Sequence, residues 1–167
     1  EPGTTYIPNW HIDLICEYLH AVRDGEIKRL VINIPPRHMK SINVTVCFPC
    51  WAWTQAPEKR FIKVSYSDSL SRKHNVLSRD IIQSPWYTEN WGDIVKLKDD
   101  VNRQNEFKNT HQGMMFSTSV GGALTGEGGD IIIVDDPQNP AQANSETERQ
   151  NTIDFFKNTL QTRLNDP

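Results

Sequence analysis

The alternation of apolar and polar residues divides the chain into helical and strand-like segments. In residues 10–22 the apolar side chains Ile12, Ile15, Leu19 and Val22 recur at helical spacing. Short runs rich in β-branched and aromatic residues are typical of strands. The predicted helices are residues 10–22, 41–53, 68–82 and 145–164, and the predicted strands are residues 27–34, 61–66, 113–120 and 130–134.

The order of these segments predicts the fold class. Strands that alternate with helices indicate an α/β domain with a mainly parallel central sheet, right-handed crossovers and flanking helices. The 167 residues suffice for a single domain, residues 1–167, with one sizeable core. Residues 84–108 carry no readable pattern, and Pro49 predicts a kink or an early end of the second helix. The predicted inward side of the third helix consists of Leu70, Val76, Leu77 and Ile81.

Composition limits the classes of partner. The net charge is −3 and the isoelectric point is about 5.9, so no overall basic field attracts nucleic acid. No run of 18 apolar residues and no signal-like apolar core occur, so we expect a soluble intracellular protein without a membrane. A local group of basic residues is predicted to be a solvated surface rather than a DNA-binding patch; its members are Lys59, Arg60, Lys63, Arg72, Lys73 and Arg79.

Two cysteines, Cys47 and Cys50, have the spacing of a redox motif or of half a zinc site. The chain contains no second cysteine pair to complete a zinc site. Because apolar residues surround the pair, we predict that both thiols lie in the core.

A loop near the start of the chain carries candidate chemistry. Residues 34–41 follow an apolar run and end in Lys40 and Ser41, the pair that a phosphate-binding loop requires. In such a loop the Lys approaches the β/γ-phosphates and the hydroxyl reaches Mg²⁺. The standard pattern G-x-x-x-x-G-K-[ST] would place glycine where this chain has Ile34 and Met39.

A second element supports this interpretation. Within residues 130–134, the four β-branched residues 131–134 form an apolar run, which predicts a parallel strand covered on both faces. Asp135 and Asp136 follow it, at the end of a strand where open α/β sheets place their ligands. In an NTPase one such carboxylate holds the Mg²⁺ shell, and its neighbour orients the attacking water. The alternative is a strand that simply ends in a turn.

Taken together, these segments resemble the ATPase domain of the large terminase subunit, the DNA-packaging motor of tailed bacteriophages. The resemblance covers nearly the whole chain, from Trp10-His11 through residues 35–41, 48–51, 64–67, 119–122, Thr125-Gly126 and 133–137 to residues 145–149 and 162–164. It implies an additional-strand, RecA-like P-loop fold and ATP hydrolysis coupled to translocation of double-stranded DNA. It also implies a homo-oligomeric ring on the procapsid, contacts with the portal protein and the small terminase subunit, and a location in the host cell cytoplasm.

The resemblance assigns roles to individual residues. Lys40 and Arg37 would be cations beside the phosphates, and Ser41 and Asp135 would hold Mg²⁺. Asp136 would take the place of a catalytic glutamate, although its side chain is one methylene shorter. The ATP-binding set would include the remaining loop residues Pro36, His38 and Met39, with Tyr6, Trp10 and His11 near the adenine. For His38 a plain solvent-facing position is the alternative, and for Tyr6 and Trp10 it is packing on the core.

The chain departs from the family at two points. Many relatives carry an arginine finger in the T-G-x-G turn, where this chain has Glu127. Arg149 and Arg163 are the alternative fingers, each also explicable as a structural ion-pairing residue. We further expect no nuclease activity, since the RNase H-like domain of the family has no counterpart in this chain. Two rival hypotheses stay open: another RecA-like or helicase-type ATPase, and a decayed P-loop module that binds DNA or acts as a scaffold.

Overall fold

In the computed structural model, which describes residues 6–124 and 126–166, helices and strands follow one another along most of the chain. The α-helices are α1 (Trp10–Arg23), α2 (Phe48–Trp53), α3 (Asp68–Ile82), α4 (Pro85–Trp91), α5 (Pro140–Ala143) and α6 (Glu146–Phe155). A π-helical segment, Ile42–Cys47, precedes α2; a second, Phe156–Leu160, and a 3₁₀ turn, Gln161–Arg163, follow α6. The strands are β1 (Arg60–Ser65), β2 (Leu97–Asn102), β3 (Glu106–Asn109), β4 (Met114–Ser119) and β5 (Ile131–Val134).

The five strands form one open sheet in the order β2-β3-β4-β1-β5, flanked by helices. β1 pairs in parallel with β4 and β5, whereas β3 pairs antiparallel with both β2 and β4. The predicted α/β class is therefore confirmed, but the prediction of a mainly parallel sheet is wrong for the described residues. The antiparallel part arises because β2 and β3 come largely from residues 84–108, and β3 returns to β4 through a short turn that cannot make a parallel crossover.

The predicted strand at residues 27–34 is also wrong, since these residues belong to none of the strands of the sheet. Its period of two is nevertheless real: Leu30, Ile32 and Ile34 pack against the core, whereas Val31 is 83 % exposed. Alternation determines which side faces the core, but a strand also requires hydrogen bonds to a neighbour. The described pairing of β5 is with β1 alone, so residues 27–34 do not join the sheet.

The three parallel strands end at the same edge of the sheet. β1 is in register with β4 from Arg60↔Met114 to Ser65↔Ser119, and with β5 up to Val64↔Val134. Residues that follow β5 therefore lie beside the end of β1, as the hydrogen bond from Tyr66 N to Asp136 O (3.0 Å) shows. β5 is less covered than predicted, because it lies at the sheet edge and Val134 is 38 % exposed.

The two faces of the sheet bury different clusters. Phe61 of β1 packs with Phe48, Trp53 and Met115 in the main core. Ile62, on the opposite face, packs with a smaller cluster that contains Val64, Leu124 and Leu160. Since side chains alternate along a strand, Lys63 points to the same face as Phe61 and is completely buried. Lys63 therefore cannot belong to a DNA-facing or solvated patch.

Helix α3 has the predicted bounds but a different inward face. Its buried residues are Ser71, His74, Asn75, Ser78 and Ile82, whereas the predicted Leu70, Val76, Leu77 and Ile81 are only partly buried. The face toward the sheet is polar because it meets polar partners: Ser78 Oγ accepts a hydrogen bond from Lys63 Nζ (2.7 Å). A hydrophobic pattern cannot predict a face whose contacts are hydrogen bonds.

Pro49 does not end the second helix, which continues to Trp53. The wide π-helical turn directly before it accommodates the missing N–H of proline, which would leave a carbonyl unpaired in a regular α-helix. Cys50 follows as a buried thiol that donates to Val46 O (3.2 Å), and burial raises its pKa to about 12. The prediction of a core thiol is confirmed for Cys50, while Cys47 is partly buried.

The predicted first and last helices are confirmed as α1 and as the helical run from α6 to Arg163. Ser145 caps α6 by accepting a hydrogen bond from Glu148 N (3.4 Å). Within the described part of the chain, the helices are too short or too polar to cross a lipid bilayer.

Candidate functional site

The loop that precedes the helix of Ile42–Trp53 has an unusual backbone. Arg37 and Met39 both adopt left-handed conformations, with φ of 66° and 64°. His38 lies between them, and its Nδ1 is 2.9 Å from Pro36 O. Left-handed residues that alternate with ordinary ones turn successive N–H groups toward one side, which is the geometry of anion-binding nests. The loop also opens a helix, whose first N–H groups lack intrahelical partners.

Met39 stands where the standard motif has its second glycine. Its position requires positive φ, the conformation for which glycine is the default residue. Ile34, the other position where glycine was expected, does not have positive φ and packs against the core. Thus the backbone at 39 has the conformation that glycine would supply there, and the side chain departs from the pattern.

This conformation predicts the effect of two substitutions. Met39→Gly should leave the free energy of unfolding unchanged or raise it by up to about 1 kcal/mol, because relief of left-handed strain offsets the entropy of glycine. Met39→Val should lower it by about 1–2 kcal/mol, since β-branched residues are poorly tolerated at positive φ. Urea denaturation of both variants measures the difference; equal losses for glycine and valine would contradict the assigned conformation.

Lys40 joins the loop to the end of β5. Its Nζ lies 2.6 Å from Asp136 Oδ1 and 3.2 Å from Asp135 Oδ1. Partial burial lowers the pKa of Lys40, but the hydrogen bonds and charges of the two carboxylates outweigh it and raise the pKa overall. The lysine is therefore a permanent cation at neutral pH, held at the carboxyl edge of the parallel strands.

Asp135 is the buried member of the carboxylate pair, only 4 % exposed. Its N–H donates to Val64 O (2.9 Å), which fixes the backbone beside β1. Its Oδ2 accepts a hydrogen bond from Thr45 Oγ1 (3.1 Å) and lies 3.8 Å from His74 Nδ1. Burial is the main effect that lowers the pKa of His74, so the imidazole is neutral at physiological pH.

Asp136 is the exposed member, with 57 % of its side chain accessible. It adopts φ of 48°, a left-handed conformation that Asp tolerates better than most residues. The two carboxylates thus differ in environment: Asp135 is fixed by the fold, and Asp136 faces solvent beside Lys40. This division suits a metal-shell carboxylate and a group that contacts water.

Ser41 lies in the first helical turn, partly buried, and its hydroxyl makes no hydrogen bond with the described residues. Thr45 lies one turn later on a similar face of the helix and reaches Asp135. The assignment of Ser41 and Asp135 as the residues that would hold Mg²⁺ stays a prediction. Between residues 6 and 166, Thr125 apart, no group of three or more His, Cys, Asp or Glu side chains converges as a ready metal site. A hydroxyl and one carboxylate fit Mg²⁺, which takes few protein ligands and completes its shell with phosphate oxygens and water.

Of the predicted adenine-binding residues, Trp10 and His11 begin α1 and Tyr6 lies four residues before it. Trp10 is 74 % exposed and Tyr6 is 54 % exposed, so the alternative that both pack on the core is wrong. The His11 ring lies 5.7 Å from the His38 ring, in an edge-to-face arrangement, so it is next to the loop. Its Nε2 is buried without a hydrogen-bond partner among the described residues. Their contact with a nucleotide stays a prediction.

The arginine candidates fall into two groups. Arg37 is exposed and forms no ion pair with the described residues, so it is available to an anion. Arg149, by contrast, pairs with Glu146 and donates to Ala143 O (2.8 Å), and Arg163 has a buried Nε without a described partner. These positions match the structural alternative for Arg149, and the finger stays a prediction for both.

Glu127 occupies the position where many terminases have the arginine finger, and its carboxylate forms an ion pair within the chain. It lies in the loop that joins β4 to β5 and pairs at 2.5 Å with Arg60, the first residue of β1. The same loop contains Thr125, part of the T-G-x-G turn, which lies outside the described residues. The pair explains how an acidic residue is accommodated at this position, and it removes Arg60 from the supposed basic patch.

The structure brings together Lys40, Asp135 and Asp136 as the sequence predicted. Sequence reasoning missed Thr45 and His74. The signal for Thr45 was available, because it follows Ser41 by four residues and so shares its side of the helix. His74 had no such signal, since its place depends on how α3 packs against β1 and β4.

A scan against models of protein families finds none that matches this chain. A search among curated proteins finds no significant match either.

Proposed function

We propose that this chain binds Mg-ATP at the carboxyl edge of the parallel strands and hydrolyses it. The observation that carries the proposal is the contact of Lys40 Nζ with the carboxylates of Asp135 and Asp136. Asp136 lies 96 residues after Lys40 in the sequence, so the fold brings these groups together. A lysine that follows a loop with left-handed residues, beside two carboxylates at a strand end, supplies the cation and the metal-binding carboxylate that phosphoryl transfer with a divalent ion uses.

The charges of the site support this ligand. Lys40 is compensated by two carboxylates, one of them buried. Phosphate oxygens would take over the ammonium group, and Mg²⁺ would take over the Asp135 carboxylate, so each of these two groups would keep a partner of opposite charge. A phosphate without the metal would instead approach two carboxylates and be repelled. The site therefore favours the metal–nucleotide complex over either component alone.

The chain's own residues would divide the chemistry as follows. Ser41 and Asp135 would hold Mg²⁺, which supplies a Lewis acid at the phosphates. Lys40 and Arg37 would stabilise the charge that develops on the transferred group, and Asp136 would position the water. We expect slow turnover by the isolated chain, because a neighbouring subunit would supply a further cation in trans.

We further propose that this ATPase is the motor domain of a phage DNA-packaging terminase. The support is the combination of loop and strand-end motifs and the flanking segments of the sequence. On this proposal, double-stranded DNA, the portal protein and the small terminase subunit are partners, and a homo-oligomeric ring works in the host cytoplasm. A helicase-type ATPase would share the same site.

One observation favours a second candidate, a decayed nucleotide site. Residues 27–34 do not join the sheet, and Ile34 packs against the core where a standard loop has glycine. A module that has lost ATP binding and serves as a scaffold could show the same two departures from the standard motif.

Calorimetric titration distinguishes the two candidates. We expect Mg-ATP to bind with a Kd well below 1 mM, and removal of Mg²⁺ with EDTA to weaken ATP binding by at least about 10-fold, because the carboxylates then repel the phosphates. AMP, which lacks the β- and γ-phosphates, is the matched control ligand. Absence of Mg-ATP binding near millimolar concentration would support the decayed module.

A further inference from the structure

The two oxygens of the Asp135 carboxylate face different partners. Oδ1 lies 3.2 Å from Lys40 Nζ, on the side of the loop. Oδ2 accepts the hydrogen bond of Thr45 and faces His74. These two residues come from separate elements, the helix after the loop and α3. The buried carboxylate is thus fixed at Oδ2 by a hydrogen bond, while Oδ1 faces the loop and Lys40.

His74 is the less obvious of the two. It is only 7 % exposed, yet its Nδ1 has no hydrogen-bond partner among the described residues. Asp135 Oδ2 lies 3.8 Å from Nδ1, which is within about 1 Å of hydrogen-bonding distance. Buried ring nitrogens usually have a partner, and here the carboxylate is placed to become it. The other groups that influence the ring electrostatically are Lys63, Lys73 and Asp136.

We propose that Thr45 and His74 are positioning residues for Asp135, which hold Oδ2 so that Oδ1 remains directed at Lys40 and at the metal–nucleotide complex. The inference rests on the proposed function. Its physical basis is that a carboxylate ligand has two oxygens and a free torsion, so hydrogen bonds from outside the metal shell decide which oxygen is presented. A neutral His74 must carry its proton on Nδ1 to act in this way.

A merely structural role makes a different prediction. If Thr45 and His74 only fill space, shape-preserving substitutions would leave metal binding unaffected and change stability alone. If they position Asp135, loss of either donor would weaken Mg²⁺ binding, whereas a substitution that restores the donor would recover it. The relevant measurement is therefore the Mg²⁺ concentration that gives half-maximal ATP binding or hydrolysis at fixed ATP.

The test uses paired variants. Thr45→Val keeps the shape of the side chain and removes the hydroxyl, whereas Thr45→Ser keeps the hydroxyl. His74→Phe keeps a ring and removes both ring nitrogens, whereas His74→Asn places an amide donor near the position of Nδ1. We expect the half-maximal Mg²⁺ concentration to rise about 10–100-fold in Thr45→Val and His74→Phe. It should return to within about 3-fold of wild type in Thr45→Ser and His74→Asn. Ser71→Ala, a change at a buried α3 hydroxyl that donates to Asp68 O, is the matched control.

The outcomes separate this inference from the proposed function. Mg-ATP binding by the wild-type chain, with an unchanged Mg²⁺ requirement in Thr45→Val and His74→Phe, would overturn the positioning role alone. Absence of Mg-ATP binding by the wild-type chain would overturn both. If His74→Phe fails to fold, nitrogen chemical shifts of His74 in the Mg-ADP-bound wild-type chain decide its part. The positioning role requires the Nδ1–H tautomer, and observation of the Nε2–H tautomer would contradict that role.

Discussion

Lys40→Ala is expected to lower the rate of Mg-ATP hydrolysis by at least about 100-fold, to the limit of detection in a chain that turns over slowly. A cation aimed at the transferred phosphoryl group stabilises charge that grows in the transition state, and loss of one such preorganised contact costs about 100–1,000-fold in related cases. In this chain the loss is compounded, because Asp135 and Asp136 would face the phosphates without their cation.

The fold should survive this substitution. About a quarter of the Lys40 side chain is exposed, and its closer partner, Asp136, is more than half exposed. The exposed pair with Asp136 contributes about 0–1 kcal/mol to stability. The buried partner, Asp135, loses a cation but keeps the hydrogen bond from Thr45, so we expect the free energy of unfolding to fall by about 1–3 kcal/mol and the fold to remain. A loss of turnover with an intact fold therefore reports on the chemistry of the site.

Two further variants sharpen the measurement. Lys40→Arg keeps the charge but replaces a compact ammonium with a planar fork, and we expect most activity to be lost. Lys96→Ala removes an exposed lysine next to β2, at the opposite edge of the sheet from β5, and should have no effect. Phosphate release at saturating Mg-ATP measures all three. Turnover by Lys40→Ala at the wild-type rate would exclude the proposed site.

The second large effect concerns Lys63. Burial lowers the pKa of this completely buried lysine from 10.5 to about 8. At pH 7 the fold must therefore bury a charged ammonium whose only described hydrogen-bond acceptor is Ser78 Oγ. The difference between the folded and unfolded pKa corresponds to a penalty on the order of 3 kcal/mol.

The sign of the pH dependence follows from proton binding. Between pH 8 and 10.5 the unfolded chain binds more protons at Lys63 than the folded chain does, so the free energy of unfolding rises with pH. The penalty is complete below pH 8 and disappears as pH approaches 10.5. Cys50 acts in the opposite direction above pH 9, because burial raises its pKa to about 12. The total profile therefore mixes groups that act in opposite directions.

A comparison with Lys63→Met isolates the lysine. At pH 7 we expect the variant to be more stable than wild type by about 1–3 kcal/mol, since a buried charge is replaced by an apolar chain of similar length. From pH 7 to pH 10 the advantage should shrink by about 2–3 kcal/mol. Urea denaturation at both pH values measures it, with Lys96→Met as the exposed control. An advantage that does not change with pH would show that Lys63 keeps an ordinary pKa.

The sequence predicted the elements whose pattern depends on local spacing. α1, α3, β1 and β4 lie within a few residues of their predicted bounds, because their apolar or capping residues mark them. Sequence reasoning failed where structure depends on partners. Residues 27–34 alternate like a strand, but they pair with no strand of the sheet. β2 and β3 do pair with neighbouring strands, but their sequences show no readable strand pattern.

The same distinction applies to the site. Lys40, Asp135 and Asp136 were predictable, because motif chemistry requires them at a loop and at a strand end. His74 was not, since α3 turns a polar rather than an apolar face toward the sheet. The prediction that Lys63 lies on a solvated surface failed for the same reason. A lysine is usually a surface residue, and only the polar partner Ser78 on α3 accounts for its burial.

The left-handed residues of the loop also bear on the entropy of ligand binding. A glycine visits positive and negative φ about equally and must give up that freedom when a ligand orders it. Arg37 and Met39 occupy positive φ before any ligand arrives, against their intrinsic preference. The fold thus meets the ordering cost in advance, and a ligand that needs this loop geometry finds it preorganised. Glycine at position 39 would transfer that cost from folding to binding.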